Sequence, residues 1–340
     1  MRDGEWYLGY YTYDHFPGAA LHFGPEDTGI YCLTEPTVAF ADPEVADAAL
    51  PGEDGVRLGR DYQRSAAVTF ELGVDTVDTP AYRHARQPTA AGRRVGDFEA
   101  SSGWASRGKW QDNLDGVDML RQVWRADSIR LKPSRIAWLV HRTGGRTRRL
   151  YGRPRKFDVA HSRLTRQGYT PIAATFTAID DRFYSETERS EEMWVHDLLA
   201  HLPRPGRPGG TPRPPSTRPR AMLLNEGSVA TYPVIQIEGP AKNPLVEVGG
   251  LWTVQLSLTL SQWESVTIDP RPWRRTVTRT SATGAESSVA DRLTRASPRL
   301  ADMVLPPGLW PVRISHTKLS PTSTVGPRVK VLWRSAYTWW

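Results

Sequence analysis

The stretch Leu251–Leu260 reads LWTVQLSLTL, and its residue pattern decides the fold class. From Trp252 onward, apolar side chains occupy every second position, with threonine, glutamine or serine at the positions between. Successive side chains of a β-strand point to opposite faces, so a period of two over this length predicts a strand with one buried face.

The sequence around this stretch repeats the same pattern on a smaller scale. Shorter candidate strands are Val234–Glu238, Ser265–Ile268, Thr276–Arg279, Pro311–Ser315 and Arg328–Trp333. Turn-forming pairs such as Gly239-Pro240 and Asp269-Pro270 separate them. Many short strands with almost no helical periodicity predict an antiparallel β-sandwich or jelly roll in the C-terminal part.

The N-terminal part is also rich in strand signals, with one helix among them. Its candidate strands are Tyr7–Tyr13, Ala66–Leu72, Ile136–His141, Arg148–Tyr151 and Ala173–Ile179. Apolar residues recur at helical spacing in Asn113–Asp127, where Asp112 or Asn113 is placed to cap the helix. A second, short helix is predicted within Glu186–Leu202.

The clearest boundary is Pro203–Arg220, which holds seven prolines, five arginines and three glycines. Such a composition favours extended, solvated chain and supplies no core. It predicts an N-terminal domain at 1–203, a linker or loop at 204–220 and a C-terminal domain at 221–340. The sequence leaves open whether the final strand stays in the second domain or returns to the first.

Bulk composition narrows the class of protein. The formal charge is +7, and thirteen Trp and twelve Tyr favour strands and interfaces. Cys32 is the only cysteine, which excludes an intrachain disulfide and a multi-cysteine zinc site. No apolar run is long enough for a signal peptide or a membrane span, so we expect cytoplasmic synthesis without membrane insertion.

A search for catalytic motifs finds one near miss. Gly103–Lys109 has the spacing of a phosphate-binding loop, but Trp110 stands where serine or threonine would bind magnesium. There is no nucleophile elbow, no dinucleotide fingerprint and no metal-binding His/Glu motif. The sequence therefore predicts a protein that is not an enzyme and uses no cofactor or metal.

The basic segment Arg142–Lys156 reads RTGGRTRRLYGRPRK and carries six arginines and one lysine. Three roles stay open for it: a protein interface, a contact to nucleic acid, and a plain solvated hairpin.

The order of the segments along the chain resembles the distal tail proteins of long-tailed phages, also described as minor tail or baseplate proteins. In the first half the resemblance rests on Asp54–Tyr62, Arg148–Asp158 and Ala174–Ser185, after the opening GEWYLGYYTY. In the second half it rests on Thr231–Pro244, Val266–Val277, Leu305–Trp310 and Val329–Trp340, together with LWTVQLSLTL. It covers nearly the whole chain, and its motifs are structural rather than catalytic.

This resemblance implies an N-terminal, β-sandwich-type belt domain that closes into a six-fold ring, and a galectin-like C-terminal sandwich. It implies a homo-hexamer in the virion tail tip that joins the tail tube to the host-recognition apparatus and leaves a channel for DNA as cargo. The implied partners are the tube protein, the tail-tip hub and tape-measure proteins, and receptor-binding proteins or host glycans. The resemblance implies a long-tailed phage as the source, and the excess of arginine over lysine (38 to six) indicates a GC-rich coding sequence and hence a GC-rich host.

The aromatic and arginine residues of the N-terminal half are the candidates for ring contacts. The predicted interface residues are Trp6, Tyr7, Tyr10, Arg146, Arg148, Arg149, Tyr151 and Arg153. For the aromatic ones, together with Tyr11 and Trp124, a place in the core is the default expectation, and a place at the interface is the alternative.

A carbohydrate-binding module of a tail-tip adhesin is the alternative function. Trp252, Trp263, Trp273 and Trp310 are its candidate stacking residues. The alternation around Trp252 predicts that its ring is buried, so Trp263, beside a turn, is the preferred candidate for sugar stacking.

Overall fold

The computed structural model describes residues 1–13, 16–25, 28–52, 54–75, 109–196, 221–317 and 325–340. These ranges are built mainly of antiparallel β-strands, which confirms the predicted fold class. The chain divides into two compact units. Unit 1 comprises Met1–Glu186 and Thr338–Trp340, and unit 2 comprises Thr187–Tyr337. The predicted linker at 204–220 lies outside the described residues.

Unit 1 is organised around one large antiparallel sheet. Its strands are β1 (Trp6–Tyr13), β2 (Phe16–Phe23), β3 (Ile30–Cys32), β4 (Thr37–Phe40), β5 (Ala48–Ala49), β6 (Val56–Arg57), β7 (Ala66–Asp75), β8 (Ala137–Thr143), β9 (Arg146–Val159), β10 (Tyr169–Ala178) and β11 (Phe183–Ser185). The sheet order is β2-β1-β8-β9-β10-β7-β3, with β4 also paired to β7 and β11 to β9. β5 and β6 form a separate two-stranded hairpin.

One long helix packs against this sheet. Helix α1 spans Lys109–Arg125, and the short α2 spans Asp127–Arg130 after Ala126, whose φ of 48° interrupts the helix. The predicted cap residue Asn113 lies inside α1. Its side-chain amide is buried and donates to the carbonyls of Val74 (2.8 Å) and Gly168 (2.9 Å). Buried polar groups need hydrogen-bond partners. The Asn113 amide therefore satisfies carbonyl groups outside the helix and does not cap the N-terminus of α1.

The core of unit 1 follows the alternation of β1. Trp6, Leu8 and Tyr10 are at most 5% exposed, and the Tyr10 hydroxyl donates to Val123 of α1. The rings of Phe23 and Phe70 pack edge-on against Trp124 of α1, with centroids 6.4 and 5.9 Å away. Burial of side chains of this size stabilises the fold by about 1.5–3 kcal/mol each.

Residues from both ends of the chain meet in unit 1. The ring of Trp340 packs edge-on against Trp6, with centroids 5.2 Å apart, and against Phe183 at 4.5 Å. Trp339 lies 5.8 Å from Phe183 and 6.0 Å from Phe40, and its carbonyl accepts a hydrogen bond from Arg148. Unit 1 is therefore discontinuous in sequence.

Unit 2 consists of two antiparallel sheets around a shared core. Its strands are β12 (Arg189–His196), β13 (Ala221–Asn225), β14 (Val234–Glu238), β15 (Ala241–Val248), β16 (Trp252–Gln255), β17 (Thr259–Leu260), β18 (Ser265–Asp269), β19 (Thr276–Thr280), β20 (Glu286–Ser288), β21 (Gly308–Thr317), β22 (Val325–Trp333) and β23 (Ala336–Tyr337). One sheet has the order β12-β22-β14-β18-β19-β20. The other has the order β13-β21-β15-β16, with β17 also on β15. Apolar side chains of both sheets form one cluster, as in a β-sandwich.

The decisive stretch Leu251–Leu260 has the predicted faces, although it is not one continuous strand. Trp252, Val254, Leu256 and Leu260 are at most 8% exposed, and Ser257 is exposed. The strand is interrupted between β16 and β17: across the gap the N–H of Leu256 still donates to Pro244 of β15, whereas that of Ser257 donates to Arg292. The side-chain alternation survives this break, so the buried face is continuous.

The second predicted helix is wrong in its described part. Arg189–His196 forms β12, which pairs with β22 over its whole length. The pairing is reinforced by Arg328, which donates to both carboxylate oxygens of Glu192 (2.5 and 2.7 Å). A partner strand more than 130 residues away overrides the local preference of this segment.

Candidate assembly surface

The outer face of β1 and β8 carries three partly exposed aromatic rings. Tyr7, Tyr11 and Trp138 form this aromatic face, on the side of the sheet opposite to Trp6 and Leu8. The ring of Tyr11 is 51% exposed, and its centroid lies 4.7 Å from Trp138. A Cβ on Gly9 would lie 2.7 Å from Trp138 Nε1 and 2.8 Å from Tyr7 Cε1, so only glycine lets both rings lie flat.

Two of the predicted interface aromatics, Trp6 and Tyr10, lie in the core instead. The ring of Trp6 stacks on His141, with centroids 3.9 Å apart, and burial lowers the pKa of that histidine. The Tyr10 hydroxyl donates to the Val123 carbonyl at 3.1 Å. Burial, with a contribution from Asp127, raises the pKa of Tyr10 to about 12. Both residues, like Trp124, are buried within unit 1, as the default expectation of a core position requires.

The basic segment Arg142–Lys156 lies in the hairpin of β8 and β9. Two of its arginine side chains are largely buried within unit 1. Arg148 is 9% exposed and donates to the carbonyl of Trp339. Arg149 donates to both carboxylate oxygens of Glu186, and its side chain is 13% exposed. Both guanidinium groups hold parts of unit 1 together.

Tyr151 and Arg153 continue β9 toward the helices. Tyr151 is 8% exposed and lies under the guanidinium of Arg149, 5.9 Å from the ring centroid. Arg153 donates to the carbonyls of Arg130, Lys132 and Arg135, just after α2. Because its five donors match several carbonyls at once, arginine fixes this turn better than lysine would.

The exposed charges of the hairpin are at its two ends. Arg146 is exposed where the chain turns at Gly144 and Gly145, whose φ values are 54° and 75°. Arg155 and Lys156 are exposed further along β9. Of the eight predicted interface residues, Arg146 is fully exposed, while Tyr7, Arg149 and Arg153 are partly exposed.

The remaining sequence candidates lie elsewhere. Trp263, the sugar-stacking candidate, is 80% exposed with φ of 72°, in the turn between β17 and β18. Trp252 is buried as predicted, and its indole donates to the Val304 carbonyl at 2.8 Å. The loop-like segment Gly103–Gly108 lies outside the described residues.

Within the described ranges, no three His, Cys, Asp or Glu side chains are grouped to hold a metal ion. A search of the same residues for a helix long and apolar enough to cross a membrane finds none.

Sequence reasoning missed two residues of this surface. Trp138 lies directly opposite Gly9 in the strand register, and a glycine within an aromatic strand was the available signal. The second residue is Glu186, which neutralises Arg149. Nothing in the sequence near Arg149 or Glu186 indicates that these two residues form an ion pair.

The fold is that of a mainly β protein made of two antiparallel units. No protein-family model and no curated protein matches the chain. Similar solved structures include the SPP1 Dit protein, described as a paradigm of hub adsorption apparatus in phages infecting Gram-positive bacteria. That structure is 9% identical with a TM-score of 0.47, over 90% of this chain and 91% of the other.

Two structures of the phage p2 baseplate in its activated conformation are also similar in fold. The form with Sr is 10% identical with a TM-score of 0.46, and the form with Ca is 10% identical with a TM-score of 0.44. Each covers 96% of this chain and 97% of the other. At these identities and scores the likenesses carry no conclusion about function.

Proposed function

We propose that this chain is a structural protein of a phage tail tip. Six copies form a ring that joins the tail tube to the tip and host-recognition apparatus, and its centre passes DNA. The order of segments along nearly the whole sequence supports this proposal, as does the mainly β architecture in two units. The partners are the tube, hub and tape-measure proteins, and the site of action is the virion.

The observation that carries the proposal is the aromatic face of unit 1. Tyr7, Tyr11 and Trp138 lie side by side on one face of a sheet, with Tyr11 half exposed. Aromatic side chains of this kind are enriched at the centres of protein interfaces. A repeated head-to-tail contact closes into a ring when the rotation per subunit divides a full turn.

Negative-stain electron microscopy of the purified full chain, alone and with the neighbouring tail proteins, tests the proposal. We expect six-fold particles with an open centre. A chain that stays monomeric alone and is also absent from assembled tails would contradict it. Tyr11→Asp should abolish the particles while leaving the unfolding midpoint nearly unchanged, because the ring of Tyr11 is 51% exposed.

Carbohydrate binding by unit 2 is a second candidate function. The indole of Trp263, at 80% exposure, is presented on a turn, where a sugar ring has access to it. Glycan-array binding by the full chain that is lost in Trp263→Ala would support this function. Equal binding by both chains would exclude Trp263 as the stacking residue.

A further inference from the structure

A short basic loop, Pro270–Arg275, connects β18 and β19 in unit 2. It reads PRPWRR, with three arginines and one tryptophan in six residues. The register pairs Asp269 with Thr276, so these six residues are the whole connection between the two strands. We call this segment the basic loop. Ring assembly by unit 1 gives it no role.

Arg271 holds the basic loop in one conformation. Its guanidinium donates to both carboxylate oxygens of Asp269 (2.8 and 2.5 Å), and that carboxylate is 8% exposed. The carbonyl of Arg271 accepts the N–H groups of Arg274 and Arg275 at 2.9 and 3.0 Å. Its guanidinium also lies over Trp273, 5.6 Å from the ring centroid. Because the turn is fixed in advance, a ligand that binds it has little loop entropy to overcome.

Arg275 has a backbone conformation that favours glycine. Its φ is 48°, in the left-handed region, where the Cβ of an L-residue crowds the backbone. Glycine occupies such positions in other turns of unit 2, at Gly250 and Gly284, with φ of 75° and 83°. Arginine is less stable than glycine in this conformation, and strained residues cluster at functional sites. The presence of arginine therefore indicates a use for its side chain.

The charges of Arg274 and Arg275 are not neutralised within the described part of the chain. Both residues are exposed, and no described carboxylate lies within ion-pair distance of either guanidinium. Between Ser265 and Arg292 every other arginine is paired with an acid. The pairs are Arg271 with Asp269, Arg279 with Glu264, and Arg292 with Asp291. Two adjacent cations repel each other, so an anion bound between them is favoured.

The number of unpaired charges selects the kind of anion. A phosphate monoester carries about −1.5 to −2 charges at pH 7 and offers three acceptor oxygens, which suits two guanidinium groups. Arginine pairs with phosphate through two parallel N–H donors. Trp273, next to Arg274, is half-buried, so part of its indole is accessible. Because an indole packs well against apolar surface, it suits the C–H face of a sugar that carries the phosphate.

Nucleic acid fits the basic loop less well. Proteins that bind a duplex commonly neutralise about 6–10 phosphates. The basic loop supplies two unpaired arginines, and the carboxylates of Glu264 and Asp291 lie on the segments that flank β19. These acids would repel the further phosphates of a polyanion. A single phosphate group is therefore the better match.

We infer that the basic loop binds the phosphate group of a phosphorylated glycan. Arg274 and Arg275 pair with the phosphate oxygens, and Trp273 contacts the sugar that carries the phosphate. This inference rests on the second candidate function, carbohydrate binding by unit 2. It names the class of glycan and a site different from Trp263.

Binding of the full chain to immobilised glucose, galactose and mannose 6-phosphates, each beside the unphosphorylated sugar, tests the inference. We expect retention on the phosphorylated sugars, reduced at least ~10-fold in Arg275→Gly. That substitution should leave the unfolding midpoint unchanged or raise it, because glycine adopts this φ without strain. Arg313→Gln is the matched control, because Arg313 is exposed on β21 of the other sheet, and it should bind like the wild type.

Several results would overturn the inference. They are equal retention on phosphorylated and neutral sugars, retention on neither, and retention by Arg275→Gly equal to that of the wild type. Binding that is lost in Trp263→Ala but kept in Arg275→Gly would overturn the basic loop as the site and leave carbohydrate binding by unit 2 standing. Short duplex DNA that binds more tightly than the sugar phosphates, with the same loss in Arg275→Gly, would assign the loop to nucleic acid instead.

Discussion

The guanidinium of Arg149 donates to both carboxylate oxygens of Glu186, 37 residues further along the chain. The two side chains differ in exposure: that of Arg149 is 13% exposed and that of Glu186 is 41% exposed. If Glu186 is removed, the largely desolvated guanidinium of Arg149 is left without a counter-charge. Leaving a buried charge unpaired is strongly destabilising. Charge reversal at Arg148 and Arg149 should accordingly unfold unit 1, in addition to any effect on assembly.

Glu186→Gln should lower the free energy of unfolding by about 1–3 kcal/mol, as measured by urea denaturation. Asp158→Asn is the comparison, because Asp158 pairs with Lys156 where both side chains are about 60% exposed. An exposed pair of this kind contributes roughly 0–1 kcal/mol. Equal losses from the two substitutions would show that Arg149 is not desolvated by its surroundings.

The two faces of Leu251–Leu260 should respond differently to a charge. Leu256 is 1% exposed, so Leu256→Asp places an unpaired carboxylate in the core of unit 2 and should cost more than ~3 kcal/mol. Ser257 is exposed, and Ser257→Asp should change stability by less than about 0.5 kcal/mol. Thermal unfolding of both variants gives the comparison, and similar midpoints would contradict the face assignment.

Trypsin should cut the Pro/Arg-rich segment first at Arg220–Ala221, because every other arginine of Pro203–Arg220 precedes a proline. The fragments 1–220 and 221–340 should then elute together on size exclusion, since β12 stays paired with β22 along its length. Urea should separate them. A first cut elsewhere, or fragments that separate without denaturant, would contradict this prediction.

Asp180 should make unit 1 less stable as the pH rises. Burial raises the pKa of its carboxyl group to about 6, although Tyr184, which donates at 2.6 Å, and Arg182 act in the opposite direction. An unfolded aspartate titrates near 3.9. The folded state therefore keeps a proton that the unfolded state has lost, and stability decreases between about pH 4 and pH 6.

Asp180→Asn should flatten this decrease, as measured by urea unfolding across pH 4–7. Asp291→Asn is the control, because that side chain is 70% exposed. A decrease that persists unchanged in Asp180→Asn would assign it to another group.

Strand signals in the sequence predicted about half of the strands in the described ranges. β14 has the predicted bounds, and β18, β19 and β22 begin at or near theirs. Alternation reports which side chains are buried, because successive side chains of a strand point to opposite faces and only one face packs on the core. For the same reason the faces of β16 and β17 were predictable even though their interruption was not.

Contacts distant in sequence were not predictable. β12 is a strand because β22 pairs with it, and Asn113 is buried because two carbonyls of unit 1 need its amide. The split between core and surface along β1 was open for Trp6 and Tyr10, since a tyrosine or tryptophan suits either side. The packing partners decide it: Tyr10 bonds to Val123 of α1, and Trp6 packs against Phe70 and Trp340.

The packing of Trp340 against Trp6 and Phe183 sets an order of events during synthesis. The ribosome releases residues in chain order, so all of unit 2 has emerged before Trp340 can reach its site. A chain interrupted before Trp340 carries a complete unit 2 beside an unfinished unit 1. Completion of unit 1 is therefore a long-range step of folding, which joins segments that are separated in sequence by the whole of unit 2.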